Sequence, residues 1–293
     1  MNQAKTLNEL WSEGAAFLED WGLEDARWEC RLLLSKLLGL DGVNFLLGLH
    51  RPVSDPPTDR LHELLERRKQ GEPLQYLIGT VNFMGFEFEV TPDVFIPRPE
   101  TEILVESLIG RVRLKARDDV STAIHVLDIG SGCGNIGLSV ARLVPQVTVT
   151  MMDVSRGAIE VAKRNAVRLG VSQRTHFVEQ DVRRGVPLNE GPFDYVVSNP
   201  PYIRRNEIPR LMPEVRREPR MALDGGDDGL DFYRVIIERT LPSLNTGGCL
   251  AGEIGWGQAR AVVKLLALTK GFYRIEVIKD YNGIERVVIA HKI

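Results

Sequence analysis

The sequence predicts an α/β protein in which a small all-α region precedes a mostly parallel, seven-stranded sheet that ends in a reversed pair of strands. Three observations predict it. Helical periodicity without a strand signal runs over residues 6–69, strand-like and helix-like stretches alternate from 125 onwards, and the last two strand candidates, 273–279 and 286–291, are separated by only 280–285. Alternation calls for a parallel sheet covered by helices on both faces. So short a final connection cannot hold a crossover helix, so the last pair must run antiparallel.

The elements follow in chain order. Thr6-Leu7-Asn8-Glu9 has the pattern of a capping box, a hydroxyl residue followed three positions later by an acid, and Leu10, Phe17 and Leu18 continue an apolar stripe behind it. A second helix is expected over 24–38, with Trp28, Leu32, Leu33, Leu34, Leu37 and Leu38 as its apolar face. A short helix over 43–49 and another over 59–69 complete a bundle, residues 1–74, that suits substrate recognition better than catalysis. From 75 to 94 two β-like runs flank Met84-Gly85 and read as a hairpin, a stiffer linker than a coil. A helix starting at Thr101 or the neighbouring acids carries the chain to about residue 109. Further strands are expected at 125–129, 147–154, 175–180, 193–198 and 249–254, with helices over 136–143, 156–169, 230–241 and 258–268. The catalytic region then spans 95–293.

Composition narrows the function. With 293 residues, 43% hydrophobic and 26% charged, the chain can bury a large core in one large or two modest domains. A net charge of −3 argues against a protein that grips nucleic acid through its phosphates, so no stable nucleic-acid association is expected. Cys30, Cys133 and Cys249 are odd in number, far apart and without CxxC pairing, which points to neither disulfides nor zinc. No apolar run is long enough to cross a membrane. Glu9, Glu13, Glu19 and Asp20 make the start too acidic for a signal or transit peptide. The expectation is a monomer in a reducing cytoplasm. The five histidines show no metal spacing, and Asp224–Gly229 lacks the alternating acids of a calcium loop, so no metal is expected and that segment reads as a turn capping the next helix.

The first strand of the sheet runs into Asp128-Ile129-Gly130-Ser131-Gly132-Cys133-Gly134. Glycines there let a backbone approach a ligand closely. Gly132 to Gly137 also fits G-x-G-x-x-G, so a nicotinamide or flavin must be weighed. Asp153, ending the second strand, is placed to accept from ribose hydroxyls, which both cofactor classes carry. Two acids favour S-adenosylmethionine. Asp128 stands where a carboxylate would repel a pyrophosphate but attract an aminoacyl ammonium or a sulfonium. Asp181, ending the third strand beside Val182, can accept from an adenine amino group. Any one of these acids also suits a helix N-cap; three at the ends of consecutive strands point to a ligand.

Strand 193–198 ends in Asn199-Pro200-Pro201-Tyr202. Two prolines stop a hydrogen-bonded ladder and leave carbonyl oxygens unpaired. With an amide side chain and an aromatic ring beside them, they suit a flat –NH2 group: acceptors for its two N–H bonds and a ring against its plane. A methyl donor at the neighbouring strand ends would complete a catalytic site. Arg204, Arg205, Arg210, Arg216, Arg217 and Arg220 follow the motif, interspersed with Glu207, Glu214 and Glu218, and fit either a steering surface or a solvated loop.

A Rossmann-like seven-stranded sheet with an antiparallel last strand is similar to S-adenosylmethionine-dependent methyltransferases. Along nearly its whole length the chain resembles the peptide chain release factor glutamine methyltransferases. The resemblance rests on Gly79-Thr80 with Phe83-Met84-Gly85, the run Ile96 to Glu102, the loop Asp128 to Gly134, and Phe193 to Tyr202. It continues through Glu218-Pro219, Ala222 to Asp231 with Tyr233-Arg234, Glu253-Ile254-Gly255 with Gln258, and Lys279-Asp280 with Arg286. It implies methylation of the side-chain amide nitrogen of the glutamine in the Gly-Gly-Gln loop of class I release factors, with S-adenosylmethionine as donor. It further implies that Gly130, Ser131, Gly132, Cys133 and Gly134 line the donor site, that Asp153 holds the ribose, and that Asp181 and Val182 lie at the adenine. Asn199, Pro200, Pro201 and Tyr202 would hold the glutamine, with Phe95 an apolar wall of the same pocket. A base-directed amino-methyltransferase shares the four-residue motif but usually carries a basic recognition domain, which the near-neutral helical region does not supply. A nicotinamide-dependent oxidoreductase and a binding module without catalysis are the other readings.

Overall fold

The computed structural model describes residues 5–118, 123–187 and 190–293 and divides the chain into two compact units. The first takes in residues up to Gly79 together with Met212–Arg217. Its helices are α1 (Leu7–Glu19), α2 (Ala26–Leu38), α3 (Gly42–Leu47), α4 (Thr58–Lys69) and α5 (Leu74–Ile78). The capping box forms: the Thr6 hydroxyl accepts from Glu9 N, and the Glu9 carboxylate accepts from Thr6 N at 2.7 Å. Leu10, Leu18, Cys30, Leu33, Leu34 and Phe45 are fully buried. Gly14 lets α1 and α2 approach closely, because a Cβ there would stand 2.5 Å from Cys30 Sγ. The expected stripe of α2 shifts in one respect: Trp28 is half exposed, and Ala26 and Cys30 take the buried positions. Residues 75–78, expected to open the hairpin, belong to α5 instead, because Leu74 and Leu77 are drawn into the helical core and Gly79, at φ +81°, ends the turn.

One charged group holds this unit from inside. The buried Arg68 guanidinium donates to both oxygens of buried Glu29, at 2.6 and 2.9 Å, and to Glu214 at 3.0 Å. Removing one partner of a buried ion pair strands the other charge, whereas replacing both with apolar residues of similar volume costs far less. Arg68→Ala should therefore lower the unfolding free energy by about 3–5 kcal/mol, and Arg68→Leu with Glu29→Leu by much less. Urea unfolding followed by tryptophan fluorescence measures both; equal losses would contradict the assignment.

The second unit begins with a hairpin, β1 (Thr80–Phe83) and β2 (Phe86–Glu89), turned at Met84-Gly85 with φ of +52° and +77°, as a I′ turn requires. The hairpin belongs to the sheet-bearing unit. Asn165, buried in a helix further along the chain, accepts from Glu89 N at 2.7 Å and donates to Glu89 O at 3.0 Å. Next come α6 (Thr101–Asp118), β3 (Ile124–Ile129), α7 (Asn135–Leu143), β4 (Val147–Asp153), α8 (Arg156–Arg168), β5 (Thr175–Glu179) and β6 (Phe193–Ser198). They are followed by α9 (Asp231–Thr240), β7 (Leu244–Glu253), α10 (Ala259–Leu268), β8 (Phe272–Lys279) and β9 (Glu285–Lys292). Helix α6 runs well past the expected end, because Val112 and Ala116 stay buried while Arg111 and Lys115 reach Glu276 and Asp194 at its polar edge. Strand β7 starts five residues early, at Leu244, and crosses Gly247 and Gly248 by a register shift against β6.

The sheet order is β5-β4-β3-β6-β7-β9-β8. Strands β3 to β7 pair in parallel, while β9 is antiparallel to both β7 and β8. The expected seven-stranded mixed sheet is therefore present. Leu127, Ile129, Val196 and Leu250 pack with α9 and α10 on one face. Strand order reverses between β3 and β6, and open α/β sheets bind ligands at the carboxyl ends of the strands beside such a switch. Ile129 pairs with both Met152 and Ser198, so Gly130, Asp153 and Asn199 emerge side by side there. Among the described residues no helix is long and apolar enough to cross a membrane.

Candidate active site

A pocket opens at that edge, walled by residues of the second unit alone. Its floor is the glycine loop. Gly130 and Gly132 line it at φ +68° and +55°, a conformation that costs other residues strain. The loop is tied down from behind: Gly130 N and Ser131 N donate to Met152 O at 2.8 and 3.2 Å, and Gly132 N donates to Asp153 Oδ2 at 2.9 Å. Ser131 lies on the wall, and its buried hydroxyl finds no partner among the described residues. A buried hydroxyl without a partner is costly, and a bound ligand rich in polar groups relieves it.

Not every predicted donor-site residue reaches the wall. Asp128 is fully buried beneath the loop, where Oδ2 accepts from Gly137 N at 2.9 Å; the first turn of α7 has an orphan N–H to satisfy. Asp128 thus lies off the pocket wall and braces the loop through Oδ2, while its buried Oδ1 has no hydrogen-bond partner among the described residues. Burial raises its carboxyl to about 7; the Gly137 bond opposes this and the nearby Asp153 adds to it. The unfolded value is near 4, so the stabilisation from taking up this proton is complete below that and is lost as pH rises through about 7. Asp128→Asn should remove this part of the fall in melting temperature between about pH 5 and about pH 8, read by calorimetry; an unchanged profile would count against it.

Cys133 and Gly134 are also off the wall. The Cys133 thiol is buried, which pushes it up to about 12, and its carbonyl accepts from Asn165 Nδ2 at 2.9 Å. Gly134 meets a packing need, since a Cβ there would lie 2.7 Å from Leu138 Cδ1 and 2.8 Å from Met151 Cε.

The remaining donor-site candidates do converge. Asp153 lines the pocket and accepts from Gly132 N and Ser155 N, both at 2.9 Å, which fixes its carboxylate while leaving lone pairs for a ligand diol. Burial raises its proton affinity. Asp181 and Val182 line the same pocket. The Asp181 carboxylate is gripped by Arg183, through its backbone N and its guanidinium at 2.9 and 3.0 Å, and these bonds hold its proton affinity below the usual range.

Across the pocket stand Asn199, Pro200, Pro201 and Tyr202, with Phe95 on the wall beside them and the Arg98 guanidinium 4.7 Å from the Phe95 ring centre. Asn199 donates its Nδ2 to Thr101 Oγ1 at 3.2 Å. Among the described residues nothing donates to Asn199 Oδ1 or to the Pro200 carbonyl. The Tyr202 hydroxyl donates to Glu253 Oε1 at 3.2 Å, and burial raises its proton affinity further.

Sequence reasoning gave the residues that hold this motif in place no part in the site itself. Thr101, which begins α6 as expected, also donates its hydroxyl to Glu253 Oε2 at 2.6 Å. Asp224–Gly229 backs the motif as well as leading into α9: Ile203 N donates to Leu223 O at 3.1 Å, and Gly225 N to Ile203 O at 2.8 Å. Gln258 Nε2 donates to Tyr202 O at 3.0 Å. The resemblance covers all of these segments; their separation along the chain hides what they touch.

The chain is similar to known proteins along nearly its whole length. Residues 101–226 match the model of the methyltransferase small domain, and residues 9–79 match the PrmC N-terminal domain. A release factor glutamine methyltransferase from Geobacter sulfurreducens is 43% identical over 95% of this chain and 93% of its own length. One from Moorella thermoacetica is 38% identical over 98% of this chain and 99% of its own. The crystal structure of the hMettl16 catalytic domain, solved with the MAT2A 3′UTR hairpin 6, aligns at a TM-score of 0.54 and 16% identity, over 80% of this chain and 81% of that one, and speaks for the fold alone. Identity at that level over nearly the full length of both chains, on a methyltransferase fold, places this chain among the release factor glutamine methyltransferases.

Proposed function

We propose that this protein transfers a methyl group from S-adenosylmethionine to the side-chain amide nitrogen of the glutamine in the Gly-Gly-Gln loop of class I release factors, which tunes translation termination. The observation that carries this reading is a pair of unengaged acceptors, Asn199 Oδ1 and the Pro200 carbonyl, on the wall of one pocket with a glycine-floored cradle. The unpartnered Ser131 hydroxyl, the open backbone at Gly130 and Gly132 and the fixed Asp153 carboxylate fit the donor's aminoacyl and ribose groups. Asp181 and Val182 then stand at its adenine. When bound, S-adenosylmethionine supplies a methyl group on a sulfonium.

The residues of the chain do the rest. An amide nitrogen is a weak nucleophile because its lone pair is delocalised into the carbonyl. Asn199 Oδ1 and the Pro200 carbonyl accept its two N–H bonds and so turn the lone pair toward the methyl group, with Pro201, Tyr202 and Phe95 enclosing the amide. The N–C bond forms as the S–C bond breaks, and the nitrogen becomes cationic. Both hydrogen bonds strengthen as that charge develops, which is the differential that lowers a barrier. Orientation of this kind is worth on the order of 7–11 kcal/mol in favourable cases. The methylated amide cation is very acidic and sheds its proton without a dedicated base. The helical unit serves as the recognition module.

The test offers labelled S-adenosylmethionine with a purified release factor, the same factor with its Gly-Gly-Gln glutamine substituted, and DNA or ribosomal RNA. The reading requires label on the unmodified factor alone. Label on nucleic acid, or on the substituted factor, would overturn it.

A further inference from the structure

We propose that Thr101 and Glu253 are positioning residues that set which way the Asn199 amide faces, and with it whether the acceptor glutamine meets an oxygen or an NH2 group. The proposal rests on the acceptor reading of Asn199 given above. The three residues come from distant parts of the chain, α6, the end of β6 and the end of β7. Register brings them together: Ser198 pairs with Gly252, so Asn199 and Glu253 leave adjacent strands side by side.

The polarity of the network is fixed by what each group can do. Glu253 is buried, and both of its carboxylate oxygens accept: Oε2 from the Thr101 hydroxyl at 2.6 Å and Oε1 from the Tyr202 hydroxyl at 3.2 Å. Burial raises the proton affinity of Glu253, while the two hydroxyl donors and the Arg286 charge favour its ionised form; as a carboxylate accepting from both it has no proton to give, so the single Thr101 proton points at Glu253. Toward Asn199 the Thr101 oxygen then presents only lone pairs. Asn199 answers with Nδ2, at 3.2 Å, and its Oδ1 is left for the pocket. An asparagine has nearly the same shape when flipped, so sterics alone cannot choose between its two faces. A flipped amide would set NH2 against the NH2 of the acceptor, and the clamp would repel what it has to hold. Thr101 is 1% exposed and Glu253 2% exposed, so water does not compete for these bonds. Tyr233 donates its hydroxyl to the Glu253 backbone carbonyl and anchors that residue from the other side.

Thr101→Val keeps the shape and removes the lone pairs; Thr101→Ser keeps them. Glu253→Gln leaves one acceptor oxygen for two hydroxyl donors. The expected result is a fall in kcat of roughly 10- to 100-fold for Thr101→Val and a smaller fall for Glu253→Gln. Donor Kd should stay unchanged by calorimetry in both, and Thr101→Ser should restore turnover to within a few-fold. Because both residues act through one amide, the double variant should be no slower than Thr101→Val alone.

A readout without acceptor accompanies the kinetics: the Asn199 side-chain 15N–1H resonances, identified by their loss in Asn199→Ala, should shift in Thr101→Val and hold in Thr101→Ser. Wild-type turnover in Thr101→Val, failure of Thr101→Ser to rescue, or unmoved amide resonances would each overturn the proposal. A wild-type enzyme that leaves the release factor unlabelled refutes the substrate reading instead, and the resonances then decide the positioning role by themselves.

Discussion

Asn199→Ala is expected to lower methyl transfer to the release factor by about a thousandfold or more, with affinity for S-adenosylmethionine kept within a few-fold. The substitution removes the Oδ1 acceptor that faces the pocket and also the Nδ2 donor that satisfies Thr101. One lost hydrogen bond to developing charge in a water-poor site costs about 10²–10³ in kcat. Loss of the amide's orientation comes on top, because the Pro200 carbonyl alone cannot stop the acceptor from rotating. The proposed donor cradle is built from the β3–α7 loop and the end of β4, and among the described residues Asn199 makes no hydrogen bond to either. Single-turnover transfer and calorimetric titration of the donor separate the two effects. If turnover survived, the clamp would have to be formed by other groups.

Gly225→Ala tests the backing of the same motif. A Cβ there would stand 2.7 Å from the Pro201 carbonyl oxygen and 2.8 Å from Tyr202 Cα. Both are backbone atoms and cannot swing aside as a side-chain tip would. Gly225 N also donates to Ile203 O at 2.8 Å, so the segment cannot back away without breaking its own contact. The clamp backbone must therefore shift. A displacement of about 1 Å at a reacting centre costs on the order of 10²-fold, and kcat should fall by about that much with donor affinity little changed. Gly110→Ala, in α6, is the control: nothing lies within 4 Å of its added Cβ, so turnover should hold and stability rise slightly. Equal activity of the two variants would show that the segment does not hold the clamp.

The parts legible in the chain are those whose physics is local. A capping box satisfies its own N–H groups within four residues, so the start of α1 could be read directly. The proline pair after Ser198 ends its strand wherever that strand sits. Alternation of strand and helix, with a closing connection too short for a crossover, dictated the mixed sheet before any contact was known. Where local signals conflicted with packing, packing decided: residues 75–78 joined a helix because two leucines were needed in the helical core, and Trp28 gave up its place in the buried stripe to Cys30.

By itself, then, the sequence determined the sheet, the glycine loop at its switch point and the Asn199–Tyr202 motif beside it, because each follows from short-range stereochemistry and strand order. Tertiary structure alone decided how those pieces face. It placed Asp128 under the loop rather than in the pocket, turned Asp224–Gly229 into the backing of the clamp, and joined Thr101, Asn199 and Glu253 into one network. The reason is physical. The direction of a buried carboxyl or amide is chosen by which N–H or O–H lies within about 3 Å of it, and those partners come from elements far away in the chain.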